Sequence, residues 1–385
     1  MNRLINYTRY AIFYSISFLF NIMYSLKDNK VLFLSDVRTV MGGNLKSVYD
    51  FLEGQDYERV IEFKGDRRVR RSFKEKLVLI YHLSTSKYIL LEDLSESITL
   101  MKVRKNQEII QLWHGPGAFK RFGWSRLKNG ENIGKIHKGY KKYTKATVSS
   151  EDIKWCYAEA FGISENKIKA TGFARTDLFF DEQYIDEVKH KFYAEYPHLS
   201  HKKIVLFAPT YRGVKVNDAS YDFSKLDLDK LYENFHDEYI FIVKWHPALF
   251  NNIDRGIVQG PDYTKYNDFF LDFSHYRDIN DLLIVADLLI TDYSSLIFDY
   301  VLLNKPIVYY AYDLEQYAGH GGRGLYFDFQ EYVYGKVASN IDELIQSIKN
   351  NDLMEEERKV FFNKFMGECD GHSTEKTCKW IFNLK

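Results

Sequence analysis

The sequence predicts an α/β protein of two domains, each a parallel sheet with crossover helices, facing each other across a cleft. Three observations carry this. The chain has 385 residues, more than one hydrophobic core usually holds. Beyond residue 30, short apolar runs alternate with longer amphipathic segments, the pattern of strands buried on both faces and joined by helices. Tyr193–Lys203, a polar stretch with one of only 6 prolines, parts the runs into two sets.

Val31–Ser35, Tyr88–Leu91 and Ile109–Trp113 read as strands of the first set. Ile204–Ala208, Ile240–Val243, Leu288–Thr291 and Ile307–Tyr310 read as strands of the second. Helical patterns fall between most of them, at Glu151–Phe161, Asp281–Ala286 and Leu296–Leu303, and a last helix is expected over Thr374–Phe382. The expected division is residues 1–28 as an amphipathic membrane-association helix, 29–198 as the first domain and 199–385 as the second, with the terminal helix packing back on the first. The Asp-rich run DFFLDF (residues 268–273) reads as a surface segment.

Tyr10–Leu26 is a 17-residue run without a charge. As a helix it covers about 25 Å, short of a hydrocarbon core of roughly 30 Å. Arg3, Asn6, Tyr10, Tyr14, Ser17, Asn21 and Ser25 share one face, and Ile5, Ile12, Ile16, Leu19, Phe20, Met23 and Leu26 fill the other. Such a stripe suits a helix lying in the headgroup plane; the competing reading is a helix packed on the protein's own core. No small-residue cleavage site of a secretory signal follows. Lys64–Lys76 holds seven basic residues against two acidic, and Ala118–Lys145 nine against Glu131 alone. At about 1 kcal/mol for each cation near an anionic leaflet, these runs favour an anionic membrane surface as partner. The expected location is therefore peripheral, on the cytoplasmic face of the membrane.

Composition excludes other classes. Fifty-three basic residues balance 53 acidic ones, and no RNP-like or helix-turn-helix pattern occurs, so nucleic acid is not an expected partner. Three cysteines (Cys156, Cys369, Cys378) without a CxxC pair fit neither a disulfide scaffold nor a zinc ribbon. No HExxH or clustered His/Cys spacing appears, so no protein-held metal is expected.

The chemistry gathers at the carboxyl ends of the strands, where ligands of such sheets bind. IIQLW runs into His114, Gly115, Pro116 and Gly117, then Lys120; IVLFA into Thr210 and Arg212; IFIV into Lys244 and His246; LLIT into Asp292, Ser294 and Ser295, with Asp299 on the helix that follows. His114 and His246 are the acid–base candidates, since imidazole titrates nearest neutrality. The two glycines of Gly115–Gly117 fix a sharp turn and leave room for substrate at the backbone. Ser294 and Ser295 stand where a strand hands over to a helix, a place for an anion such as a diphosphate, with Arg212 and Lys244 at neighbouring strand ends. GHGGRG (residues 319–324) is a flexible loop whose Arg323 suits closure over a charged group. No P-loop is present, and no GxGxxG directly follows a strand pattern to open a helix as a dinucleotide fingerprint does.

Taken together, QLWHGPGAFKRFG (residues 111–123), TGFARTD (171–177), FAPTYR (207–212), VKWHP (243–247), ITDYSSLIFDY (290–300) with NKPIVYY (304–310), and DGHST (370–374) resemble the CDP-glycerol glycerophosphotransferases of teichoic-acid synthesis. The resemblance implies a GT-B-like fold of two Rossmann-like domains, the second binding CDP-glycerol. It implies transfer of glycerol phosphate to a hydroxyl of a lipid-linked (undecaprenyl diphosphate) saccharide acceptor, with release of CMP. His114 would then be the general base, and His246 would stabilise the transferring phosphoryl group or the leaving CMP. Arg212, Ser294 and Ser295 would hold the diphosphate, with Asp292 and Asp299 shaping that pocket. Any Mg2+ would arrive with the donor diphosphate. The short chain and the residues after His114 look closer to primases than to polymerases. CDP-ribitol as donor and a capsular saccharide as acceptor are the alternatives, and a nucleotide-binding module without catalysis is the non-enzyme reading.

Overall fold

The computed structural model describes residues 2–65, 69–129, 138–213, 216–319 and 324–384. They form two compact units, Met1–Asp177 with Lys364–Lys385, and Leu178–Asn363.

The first unit carries a six-stranded sheet of β1 (Lys27–Ser35), β2 (Glu58–Phe63), β3 (Ser86–Leu91), β4 (Glu108–Gln111), β5 (Lys145–Val148) and β6 (Ile168–Ala170). Every pairing is parallel, in the order β2-β1-β3-β4-β5-β6. The second carries β7 (Lys203–Phe207), β8 (Tyr239–Val243), β9 (Phe270–Asp272), β10 (Leu288–Thr291), β11 (Ile307–Tyr310) and β12 (Lys336–Ala338), also all parallel, in the order β12-β11-β10-β7-β8-β9. The central strands are continuous apolar runs because helices cover both faces. Val31, Phe33, Leu90 and Ile110 anchor one core; Phe207, Phe241, Trp245 and Ile290 anchor the other.

All seven expected strands are present, and the α/β class with two parallel sheets is borne out. Five strands escaped the sequence reading. Four are sheet edges, where exposure breaks the apolar run: β2 carries Glu58, Arg59 and Glu62, and β6, β9 and β12 are three residues each. The run DFFLDF is not a surface segment: Phe269 and Phe270 are buried, and Phe270–Asp272 is edge strand β9. The seam also falls earlier than Tyr193–Lys203. Helix Glu182–Glu195 belongs to the second unit, where Phe192 packs on Phe273 at 6.0 Å and Tyr196 on the same ring at 4.9 Å. The terminal helix, Ser373–Phe382, packs in the first unit, where Phe382 meets Tyr57 and Tyr88 at 5.0 and 4.9 Å.

Asn2–Met23 is helical, and from residue 11 onward its inward side is mixed, with Phe13 buried and Ile16 and Phe20 half-buried beside part of the polar stripe. Of that stripe, Ser17 is fully buried and accepts from the Lys102 N–H at 3.3 Å, and Asn21 donates to the Lys102 carbonyl at 3.0 Å. Ile12, Phe18, Leu19, Ile22 and Met23 are exposed, from 44% for Phe18 to 68% for Ile22 and Met23. Among the described residues no helix is long and apolar enough to cross a membrane.

Candidate active-site residues at the strand ends

In the first unit, register brings the candidate base to its partners. Leu91 pairs with Gln111, and the Leu112 N–H donates to the Leu91 carbonyl at 2.7 Å, so β3 and β4 end level. Glu92 and Asp93 from one strand therefore meet Trp113 and His114 from the other. Trp113 is left-handed, with φ 58°, a conformation a bulky residue keeps only when its surroundings enforce it. Here Gln111 Oε1 accepts its N–H at 2.9 Å, Asn44 Nδ2 donates to its carbonyl at 2.7 Å, and the indole stacks on Phe122 at 4.7 Å.

That bend turns the His114 ring outward, and its side chain is 53% exposed. Nδ1 lies 3.2 Å from the Glu92 carbonyl oxygen and 3.4 Å from Asp93 Oδ1. A carbonyl oxygen only accepts, so Nδ1 carries the hydrogen and Nε2 presents its lone pair. Crowding by protein around the ring lowers its pKa from the ordinary imidazole value, and Asp93 opposes this only in part. The ring is accordingly neutral near pH 7.

The rest of the turn is tied from below. Gly117 has φ 68° and donates its N–H to Ser149 Oγ at 2.9 Å. Tyr157 Oη lies 2.9 and 2.8 Å from the carbonyls of Gly115 and Gly117, placed to donate to either. A Cβ on Gly115 would meet nothing within 4 Å, which keeps that backbone approachable. Asn44 also accepts from the Arg175 N–H at 2.8 Å, and Arg175 Nε donates to the His114 carbonyl at 3.3 Å. Glu92 is buried and ion-paired with Arg38 at 2.6 Å; Gly43, at φ 60°, lies so close that a Cβ there would collide with both. Lys120 is half-buried on the loop that follows.

In the second unit, Phe207 pairs with both Val243 and Ile290, so β7, β8 and β10 end level as well. Asp292 is fully buried. Its Oδ1 accepts from the N–H groups of Thr210 and Tyr293 at 2.7 and 2.6 Å, and its Oδ2 from Arg212 Nη1 at 2.8 Å. Asp313 accepts from Arg212 Nε and Nη2 at 2.5 and 2.9 Å, and Nη1 also reaches the Thr210 carbonyl at 2.5 Å. Burial opposes the guanidinium charge, but the two carboxylates more than offset it and hold the pKa above its ordinary value. Tyr293 and Tyr317, stacked at 3.8 Å, flank the same group. Four of the five N–H donors of Arg212 are thus engaged within the protein. Lys244 likewise turns to backbone, donating to the Ser274 and Tyr276 carbonyls at 2.9 and 2.6 Å, and burial lowers its pKa. The geometry makes Arg212, Lys244 and Asp292 a frame for the loops, a task that strand-end position alone did not reveal.

His246 opens helix Pro247–Asp254 as its N-cap: Nδ1 accepts from the Ala248 N–H at 3.1 Å. With Nδ1 accepting, the ring hydrogen sits on Nε2. Pro247 at the first helical position costs no hydrogen bond, and the preceding Trp245, buried against Phe207 at 5.7 Å and Tyr221 at 5.2 Å, pins the strand end. Ser294 Oγ accepts from the Leu296 N–H at 3.3 Å, while Ser295 is exposed and makes no side-chain cap bond. Asp299 is buried in that short helix. Arg323 and most of its loop lie outside the described residues.

Sequence reasoning missed Asn44, Glu92, Asp93 and Arg175. Glu92 and Asp93 directly follow the apolar run Tyr88–Leu91, and that strand-end position is the signal that marks them. Arg175 lay in a quoted motif without a role; Asn44 follows two glycines and carries no other signal.

Two parallel-sheet units with polar residues collected at level strand ends define an α/β protein of the class in which ligands bind at the carboxyl edges of the sheets. The chain belongs to the CDP-glycerol:poly(glycerophosphate) glycerophosphotransferase family, whose sequence model matches residues 16–383, and the resemblance read from its motifs is borne out. It is 41% identical over 92% of its length to the teichoic acid poly(ribitol-phosphate) polymerase of Bacillus spizizenii, of which it spans 56%. It is 31% identical to the teichoic acid ribitol-phosphate primase of the same organism, with 92% of this chain and 91% of that one covered. The structure of the wall teichoic acid polymerase TagF superposes with a TM-score of 0.72 at 21% identity, covering 100% of this chain and 97% of that one, and so shares its fold.

Proposed function

We propose that the protein transfers an alditol phosphate from a CDP-alditol to a hydroxyl of a lipid-linked teichoic-acid precursor at the membrane surface, releasing CMP. The observation that carries this reading is the exposed His114 ring, anchored through Nδ1 at the Glu92 carbonyl so that Nε2 is left for a substrate. The acceptor hydroxyl oxygen attacks the phosphorus that bears the alditol, and His114 Nε2 takes the hydroxyl proton. The bond from that phosphorus to the bridging oxygen breaks, and CMP leaves with the electron pair. His246, with its hydrogen on Nε2, donates to the transferring phosphoryl group or to the departing CMP. Ser294 and Ser295 take the diphosphate, while Thr210, Arg212, Lys244 and Asp292 hold the loops that position them. Positioning and charge neutralisation are most of what phosphoryl transfer asks of a protein. Any Mg2+ is assigned to the donor diphosphate.

The motifs put glycerol phosphate first; the 41% identity with a poly(ribitol-phosphate) polymerase supports ribitol phosphate instead. Whether one unit or many are added is not decided by length, because the chain matches part of a polymerase and nearly all of a primase. Membrane attachment is supported by the outward apolar residues of helix Asn2–Met23. Incubating the protein with CDP-ribitol or CDP-glycerol and a lipid-linked acceptor analogue, then weighing the product, tests the proposal. Transfer faster from CDP-ribitol is expected; greater transfer from CDP-glycerol restores the first order, and none from either ends the transferase reading.

A further inference from the structure

Trp113 lies past the end of β4, and its backbone N–H and carbonyl both meet side-chain amides instead of a neighbouring strand. Gln111 Oε1 accepts the N–H at 2.9 Å, and Nε2 of the same amide donates to the Asp93 carbonyl at 3.3 Å. Asn44 Nδ2 donates to the Trp113 carbonyl at 2.7 Å, and its Oδ1 accepts from the Arg175 N–H at 2.8 Å. A carboxamide carries a donor and an acceptor side by side, so each of the two bridges one backbone segment to another. Neither can be turned over, because a flipped amide would set oxygen against a carbonyl and N–H against N–H.

Both amides are shut away from solvent, Gln111 at 0% and Asn44 at 1% exposure, so bulk water does not replace a bond that either one loses. Together they fasten the segments that follow four strands to a single residue. Asn44 comes from the chain after β1, just past the left-handed Gly43; Asp93 follows β3, Trp113 follows β4, and Arg175 follows β6. Two of these residues also touch the base: Asp93 Oδ1 lies 3.4 Å from His114 Nδ1, and Arg175 Nε donates to the His114 carbonyl at 3.3 Å. Each of the four amide bonds therefore ends on Trp113 or on a residue in contact with His114. The pair holds at once the backbone that aims the ring and the charged groups beside it, and keeps Trp113 at its left-handed φ of 58°.

We infer that Gln111 and Asn44 are positioning residues for the transfer, which set the direction of the His114 ring without touching substrate. The inference rests on His114 as the base and deepens that reading. The test compares wild type, Asn44→Ala and Gln111→Met in steady-state transfer and in equilibrium donor binding, each substitution also being made beside His114→Ala. Each single variant should lower kcat by about tenfold or more with donor affinity at the wild-type value, since a misplaced base slows transfer without disturbing the donor. With His114 already removed, the same substitutions should cost less than about twofold. Equal losses with and without His114 would show the amides acting on something else, and wild-type kcat in both single variants would show that the ring needs neither; each result overturns the inference. A second readout needs no substrate. Gln111→Met releases Asp93, which raises the pKa of the ring, so the His114 pKa, read by NMR on the histidine-labelled full chain and assigned with His114→Ala, should fall. If wild type transfers from neither CDP-alditol, the transferase reading ends by itself: a pKa that still falls keeps the amides as holders of the ring, and an unchanged pKa removes them too. Should Asn44→Ala or Gln111→Met fail to fold, Asn44→Asp and Gln111→Glu keep the accepting oxygen and lose the donating N–H. They should show a loss in the same direction, with the same dependence on His114.

Discussion

At the ends of β3 and β4, a strained tryptophan bends the chain so that a neutral histidine projects into solvent with one nitrogen anchored and the other presented. At the ends of β7 and β10, two carboxylates close on a guanidinium whose side chain is only 17% exposed, and little of its hydrogen-bonding capacity remains. Both regions show the same kind of motif in sequence, a polar cluster directly after an apolar run. Their environments assign opposite tasks. An exposed, oriented lone pair can do chemistry, whereas a half-buried and largely engaged ion pair holds shape.

The largest effect on stability should come from Arg212→Ala. It strands Asp292 and Asp313 without their counter-charge and should cost about 3–5 kcal/mol, read as a lower urea midpoint. A variant as stable as wild type would dissolve the contrast. Next is a pair of glycines beside the histidine. Gly43→Ala meets Glu92 and Arg38 at a left-handed φ and should cost roughly 1–3 kcal/mol. Gly115→Ala meets nothing and should stay within about 0.5 kcal/mol of wild type. Slower transfer by the stable Gly115→Ala protein would place the substrate at that backbone; unchanged transfer would move it elsewhere.

The smallest effect is in pH. As the pH drops below the ordinary imidazole pKa, the unfolded chain takes up a proton that the folded His114 still declines, so its contribution to stability is lost through that interval. The acid limb of kcat/KM should lie in the same interval. Asp93→Asn removes the charge that raises the histidine's pKa, so this limb should move to lower pH. A limb that moves upward would show Asp93 acting in some other way.

The central strands were legible because a parallel sheet covered on both faces needs an unbroken apolar run, as in Leu288–Thr291. The edge strands were not, since β2 is written with Glu58 and Arg59 and β12 spans only Lys336–Ala338. Strand-end position picked out His114 and His246. It could not tell which nitrogen each would present, because that depends on the Glu92 carbonyl and the Ala248 N–H. Nor could it reveal that Arg212 has four of its five N–H donors engaged, since Asp313 lies 101 residues away in the chain. For the N-terminal helix, only the bonds of Ser17 and Asn21 to Lys102 show which of its polar residues turn inward.

The most direct test of the account is His114→Ala, with steady-state transfer and equilibrium binding of the CDP-alditol measured on the same preparation. Loss of the oriented base should lower kcat by about 10²-fold or more while donor affinity stays within error of wild type. Turnover close to wild type, or a loss explained wholly by weaker donor binding, would contradict the assignment of His114 as the base.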